Sequence, residues 1–124
     1  MRQALPQFLR YGAVGAIATV VHYLLLVLCV ELAAWPAWLA SGFGAVTGAQ
    51  VAYYGNRRFT FAHRGARTAS WPRFQATALL GALLGMMVVA LAVRIGLHYL
   101  LAQMLATLLM LLLTFGINRR WTFR

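Results

Sequence analysis

The sequence predicts an all-α integral membrane protein: four transmembrane helices that form two parallel-repeat helical hairpins, with both termini cytoplasmic. Three observations support this prediction: long apolar segments, arginines confined to one side of those segments, and a hexapeptide that occurs twice. Hydrophobic residues make up 63% of the 124 residues and charged residues only 10%, whereas a soluble domain has roughly a quarter charged residues. The composition therefore indicates a membrane protein.

Four segments are long and apolar enough to cross a bilayer, which takes about 20 residues. They are Phe8–Val30, Ala37–Gly55, Phe74–Val93 and Leu97–Ile117. Only a few residues separate the members of each pair, so each pair is expected to form an antiparallel hairpin. The one long polar stretch, Asn56–Arg73, lies between the hairpins and is expected to be a loop.

The arginines predict the orientation of these spans. They occur at the N-terminus, in the central stretch and at the C-terminus: Arg2, Arg10, Arg57, Arg58, Arg64, Arg67, Arg73, Arg119, Arg120 and Arg124. Only Arg94 falls on the other side. By the positive-inside rule, the termini and the central stretch are cytoplasmic.

The charge balance points to an anionic lipid surface as the partner. The net charge is +10, with eleven arginines, no lysine and one acid, Glu31. In a soluble chain this would suggest nucleic-acid binding, but the apolar segments leave too little water-facing surface for a nucleic acid. Anionic headgroups account for the same charge, and guanidinium groups bind phosphate in a bidentate manner.

An internal repeat divides the chain in two. Asn56–Phe61 recurs as Asn118–Phe123 with one difference, phenylalanine against tryptophan at the fourth position, and Pro6-Gln7-Phe8 parallels Pro72-Arg73-Phe74. We therefore expect a single domain over residues 1–124, with repeat one at about 6–61 and repeat two at about 72–123. Because the hairpins have the same orientation, an axis along the membrane normal should relate them.

Glycines four residues apart mark candidate packing faces within the spans. Gly44 and Gly48 have this spacing in the second span, and Gly81 and Gly85 have it in the third. Such spacing lets helix backbones approach closely. Packing within one chain is the simpler interpretation, and contact between copies in a homo-oligomer is the alternative.

The repeated hexapeptide supports two interpretations. In one it is an interfacial anchor: its asparagine caps a helix, its arginines face the headgroups and its aromatic rings fix the depth. In the other the two copies meet at one membrane face, and their four guanidiniums hold a phosphate or diphosphate headgroup. The second interpretation makes the following residues candidate substrate-binding residues: Asn56, Arg57, Arg58, Phe59, Phe61, Asn118, Arg119, Arg120, Trp121 and Phe123.

Polar residues inside the spans add one further candidate. His22 lies well inside the first span, and an ionisable residue at such depth is a functional hypothesis by default. The alternative is a neutral histidine that hydrogen-bonds a neighbouring helix. Gln50 and Gln103 are expected to make hydrogen bonds between helices, and Glu31 is expected to pair with Arg94 across the two short turns.

The residue inventory argues against an enzyme. One acid, one cysteine and no aspartate leave no paired carboxylates and no metal-ligand cluster. We therefore predict no catalytic residues, no metal site and no cofactor. A phosphate-binding loop for a nucleotide is also missing from the sequence.

The paired Asn-Arg-x-aromatic-Thr-Phe motifs and the opening Phe8–Gly15 resemble the GtrA-like family, small four-span membrane proteins of bacteria. Ala18–Tyr23 is similar to the family's first-span pattern. The resemblance implies an inner-membrane protein of cell-surface polysaccharide synthesis. Such a protein would move a polyprenyl-phosphate-linked sugar from the cytoplasmic to the periplasmic leaflet, where a glycosyltransferase uses it.

Two other functions stay open at this point. The chain could be a non-transporting scaffold or anchor that recruits a glycosyltransferase, with the arginine clusters as protein-binding sites. It could also be a proton-coupled exporter of small cations. That class needs a carboxylate within the membrane, whereas Glu31 stands at the end of a span, so this function ranks last.

Overall fold

A computed structural model describes residues 4–60 and 67–121, and the described chain is entirely helical. The four helices are α1 (Ala4–Glu31), α2 (Ala37–Gly55), α3 (Arg67–Arg94) and α4 (Tyr99–Trp121), and a π-helical turn (Asn56–Thr60) continues α2. The predicted all-α fold with four helices is confirmed.

Each helix runs antiparallel to its neighbours in the chain. Positions 44, 48 and 55 of α2 lie against His22, Ala18 and Val14 of α1. Residue numbers rise along one helix as they fall along the other, so the two helices are antiparallel. Residues near the end of α3 pack on the start of α4 in the same way, as shown by the cluster of Val89, Ala92, Ala102 and Ala106.

Helices α1 and α4 contact each other in the half of the bundle that holds the two short turns, residues 32–36 and 95–98. Tyr99 donates a hydrogen bond to the carboxylate of Glu31 over 2.8 Å. The hydroxyls of Tyr23 and Thr107 are also 2.8 Å apart. We call this the turn end. The opposite end, which holds Asn56–Thr60 and the start of α1, is the arginine end.

The bundle has the polarity of a membrane protein, with small residues inside and large apolar residues outside. Alanine dominates the buried hydrophobic positions, whereas Leu24, Leu80 and Leu112 are each more than half exposed. A soluble monomer rarely exposes apolar surface on this scale. Lipid chains are the environment that such a surface fits.

Two of the described helices are long and apolar enough to cross a membrane, in the segments Phe8–Glu31 and Trp71–Arg94. A shorter apolar stretch covers Tyr99–Leu113. Helix α2 is rich in glycine, alanine and short polar residues, which lowers its hydropathy. That all four helices cross the membrane therefore stays a prediction.

Helical structure extends from both sides into the central stretch, Asn56–Arg73, which was expected to be a loop. Asn56 has right-handed helical dihedral angles, and its N–H bonds the carbonyls of Ala52 and Tyr53. It stands at the C-cap position of α2, as the sequence suggested, and the chain continues from it as the π-helical turn. Helix α3 already begins at Arg67 and includes Pro72, which removes one backbone hydrogen bond without ending the helix.

Gly96 ends α3 in the turn before α4. Its φ of 101° is left-handed, a conformation that glycine adopts at little steric cost. The N–H of Gly96 bonds the carbonyl of Val93, and the N–H of Leu97 bonds that of Ala92. This is a Schellman motif, and it lets α4 turn back onto α3 within four residues.

We expect Gly44→Ala to destabilise the protein, whereas Gly81→Ala should not. A Cβ at position 44 would lie 2.7 Å from the His22 carbonyl oxygen, but a Cβ at position 81 would meet nothing within 4 Å. Overpacking of this kind costs about 1–3 kcal/mol. Thermal unfolding in detergent measures the difference. Equal stability of the two variants would contradict close packing of α1 on α2.

Candidate functional site

A cavity of about 330 Å³ lies between the four helices. Alanine and glycine make up most of its wall: Ala18, Ala45, Gly48, Ala49, Ala52, Ala78, Gly81, Ala82, Gly85 and Ala106. The remaining described lining residues are Thr19, His22, Ser41, Gln103, Thr107, Met110 and Leu111. Its volume falls in the range of about 300–1,000 Å³ that is typical of ligand pockets. Short side chains leave this space open because they do not reach across it.

Polar side chains from three helices form a hydrogen-bonded chain at this cavity. Ser41 of α2 donates its hydroxyl to the amide oxygen of Gln103 on α4. The side-chain amide nitrogen of Gln103 donates to the hydroxyl of Thr107 over 3.2 Å. That hydroxyl in turn donates to the backbone carbonyl of Gln103. Thr107 must therefore accept from the Tyr23 hydroxyl of α1. We call these four residues the polar chain.

His22 lies beside the polar chain and also lines the cavity. Its ring meets that of Tyr23 edge to face, with the centroids 5.6 Å apart. The Nε2 atom is buried and makes no hydrogen bond of good geometry among the described residues, although the Ser41 backbone and the Gln103 side chain lie near enough to interact with the ring. A buried polar atom without a partner is costly, and a ligand in the cavity would supply one.

The first arginine cluster forms a separate, wide pocket at the arginine end. Tyr54, Arg57, Arg58 and Phe59 line a space of about 600 Å³. The Arg58 guanidinium lies 5.8 Å from the centroid of the Phe59 ring, a cation–π distance. Both arginines are exposed, so their donors remain available for an anionic headgroup.

Arg10 of α1 contacts the segment that forms this pocket, and the sequence had indicated it only as a marker of orientation. Its guanidinium donates a long hydrogen bond, 3.5 Å, to the carbonyl of Phe59. The bond ties the start of α1 to the π-helical turn. Three guanidiniums from two elements therefore lie at one end of the bundle.

The other predicted binding residues divide between the two sites and the undescribed parts of the chain. Asn56 is in the π-helical turn with the first arginine pair, and His22 is in the cavity. Asn118, Arg119, Arg120 and Trp121 lie on the last turns of α4, where the structure describes the backbone but not the side chains. Phe61 and Phe123 lie outside the described residues.

The interhelical bonds predicted for the glutamines are present. The side-chain amides of Gln50 and Gln75 exchange two hydrogen bonds, of 2.6 and 2.8 Å, between α2 and α3. Gln103 bonds Ser41 in the polar chain. Glu31 has Tyr99 as its partner, rather than the Arg94 that the sequence suggested.

Sequence reasoning missed Ser41 as a site residue, although a signal was available. Ser41 and Gln103 are 62 positions apart, which is also the spacing between Asn56 and Asn118 of the two hexapeptides. Equivalent positions in the two repeats can meet at the axis between them. The contact between Ser41 and Gln103 could therefore have been predicted from this spacing alone.

Comparison with known families identifies the chain's relatives. The model of the GtrA/DPMS transmembrane domain matches residues 10–123. The chain belongs to this family. No curated protein and no solved structure gave a match. The GtrA/DPMS family consists of small membrane proteins that are generally non-catalytic, and it is associated with cell-surface polysaccharide synthesis and glycosylation. The chain is accordingly an integral, multi-pass membrane protein.

Proposed function

We propose that this GtrA/DPMS protein moves a polyprenyl-phosphate-linked sugar from the cytoplasmic to the periplasmic leaflet of the bacterial inner membrane. A glycosyltransferase would then use the sugar in envelope polysaccharide or glycosylation. The observation that carries the proposal is the cavity between the four helices, because it offers polar groups inside a bundle whose outer surface is apolar.

A sugar headgroup needs such a path because its hydroxyls cannot enter the hydrocarbon core unpaired. Each buried hydroxyl without a hydrogen bond costs about 1–3 kcal/mol in proteins. The polar chain and His22 supply partners inside the membrane. The isoprenoid tail can stay outside, against the exposed leucines.

The arginine end supports recognition of the phosphate. Arg57 and Arg58 line one pocket there and Arg10 bonds the same turn, and charge-assisted bonds from guanidinium to phosphate are among the strong hydrogen bonds. In the proposed topology all four helices cross the membrane and this end is cytoplasmic. Arg119 and Arg120, at the end of α4, would then add the second pair.

The two hairpins would be related by an axis along the membrane normal. The bond between Ser41 and Gln103, at equivalent positions of the two repeats, supports an axis that passes between α2 and α4. The repeats are not identical inside the bundle: His22 of α1 has the apolar Val88 at the corresponding position of α3.

Purified protein in liposomes tests the proposal. We expect wild type to accelerate the movement of a labelled polyprenyl-phosphate hexose between leaflets, measured by its accessibility to a reagent added outside. A labelled phosphatidylcholine in the same vesicles is the control, and its movement should stay at the rate of protein-free liposomes.

Equal rates with and without folded, inserted protein would contradict the flippase. The scaffold would then be favoured, and a glycosyltransferase that co-purifies with the chain would be its expected partner. Equal acceleration of both lipids would indicate general lipid scrambling instead of a sugar carrier.

A further inference from the structure

The polar part of the cavity, at Ser41 and Gln103, is too far from the arginine pocket for one headgroup to occupy both at the same time. Ser41 and Arg57 are sixteen positions apart on one continuous helical stretch, or roughly 24 Å at 1.5 Å per residue. A sugar joined directly to its phosphate spans much less. A lipid-linked sugar would therefore occupy the two sites in turn, with the cavity as the site nearer the turn end.

The described residues that line the cavity carry no permanent charge. Of its described lining residues, none is arginine, lysine, aspartate or glutamate. In a low-dielectric site, an ion without a counter-charge is strongly disfavoured. With His22 neutral, the cavity offers a charged ligand group no counter-charge, so an uncharged group is favoured there and the phosphate would remain outside it.

The unused hydrogen-bonding groups at the cavity include both donors and acceptors. Gln103 donates one side-chain amide N–H to Thr107, and its second N–H can donate to a ligand. Ser41 spends its proton on Gln103 and keeps its lone pairs. His22 offers Nε2 as a donor or an acceptor, according to its tautomer. An anion needs donors and a cation needs acceptors, whereas sugar hydroxyls need both.

We propose that Gln103, Ser41 and His22 form a binding subsite for an uncharged sugar ring, and that this subsite excludes sugars bearing a carboxylate or an ammonium group. The subsite rests on the proposed function for the identity of its ligand. It adds a selectivity that the arginine pocket cannot provide, because the phosphate is common to all such lipids.

Equilibrium binding in nanodiscs tests the subsite without requiring transport. The probes are polyprenyl phosphate without sugar, the same lipid bearing a neutral hexose, and the same lipid bearing a hexuronate. Wild type should bind the neutral hexose lipid about tenfold or more tighter than the sugar-free lipid, as two or three net hydrogen bonds would give. The hexuronate lipid should show no such gain.

Gln103→Leu should abolish the gain, because leucine is close to glutamine in size and removes both polar atoms. Gln50→Leu is the matched control: it makes the same change in another glutamine that bonds a neighbouring helix but does not line the cavity, and it should keep the gain. Ser41→Ala removes a single oxygen and should reduce the gain. It serves as the test if Gln103→Leu does not fold.

The outcomes separate the subsite from the flippase. A gain that persists in folded Gln103→Leu or Ser41→Ala overturns the subsite, even if the protein moves lipid. An equal gain for hexose and hexuronate overturns the exclusion of charge, and the absence of any gain in wild type overturns the subsite as a whole. A gain lost in Gln103→Leu but kept in Gln50→Leu supports it, even if no lipid crosses.

Discussion

Gly85→Phe is expected to reduce leaflet exchange of the lipid-linked sugar at least tenfold, equivalent to about 1.4 kcal/mol in the barrier. Gly85 is buried and lines the cavity, yet a Cβ placed on it would meet nothing within 4 Å. The phenylalanine ring would therefore enter the open space between the helices. Exchange in liposomes, compared with wild type at equal protein content, measures the effect.

Gly12→Phe is the matched control for this blockage. A Cβ at Gly12 also meets nothing within 4 Å, but this glycine is exposed and does not line the cavity. Its ring would point to lipid, and exchange should stay near the wild-type rate. If Gly85→Phe folds and transports normally, the sugar does not pass through the cavity.

Arg57→Ala/Arg58→Ala is expected to remove nearly all transport at low substrate concentration. The substitution deletes both exposed guanidiniums of the arginine pocket but no buried apolar group, so the bundle should still fold. Charge-assisted hydrogen bonds contribute about 1.5–3 kcal/mol each, so the pair accounts for at least a hundredfold in affinity. The dependence of exchange rate on substrate concentration measures this loss.

Two further variants show whether the loss of transport comes from the charge or the bidentate geometry of the arginines, and whether it is specific to the arginine pocket. Arg57→Lys/Arg58→Lys keeps the charge without the bidentate fork and should retain part of the transport. Arg94→Ala removes an arginine from the turn end, and transport should be unaffected. Wild-type transport by the double alanine variant would show that phosphate is not recognised at this pocket.

The fold was predictable because hydropathy and charge both act on whole segments. Long apolar stretches and the arginines between them predicted four helices and their order. The ends were harder to predict: hydropathy marks the hydrocarbon boundary, whereas a helix continues as long as its backbone bonds are satisfied. Asn56–Thr60 and Arg67–Arg73 are helical for that reason, although both segments are polar.

The glycine spacing predicted close helix packing correctly for one pair of glycines but not for the other, because spacing does not show which neighbour a helix face meets. Gly44 and Gly48 pack against α1, as predicted for close helix contact. Gly81 and Gly85 have the same spacing but line the cavity. A small residue allows either a close approach or an empty space, and only the three-dimensional arrangement distinguishes the two.

The candidate site was predictable in part. His22 drew attention because a histidine within an apolar span is unusual. Of the polar chain, Gln103 was predicted only to bond a neighbouring helix, and Ser41 and Thr107 were not predicted as site residues, since serine and threonine are common in membrane helices and usually make bonds between helices. Their convergence depends on the rotation of α2 and α4 about their own axes, which a hydropathy pattern does not report.

The most direct test of the account is to find where the sugar lies within the protein during transport. A polyprenyl-phosphate hexose with a diazirine on the sugar ring would be photolysed in liposomes that contain wild type, and the labelled residues would be mapped by mass spectrometry. If the sugar passes through the cavity, labels are expected on cavity-lining residues of several helices, such as Ala82 and Ala106, both nearly inaccessible to solvent. Labels confined to lipid-facing residues such as Leu80 and Leu108 would contradict it.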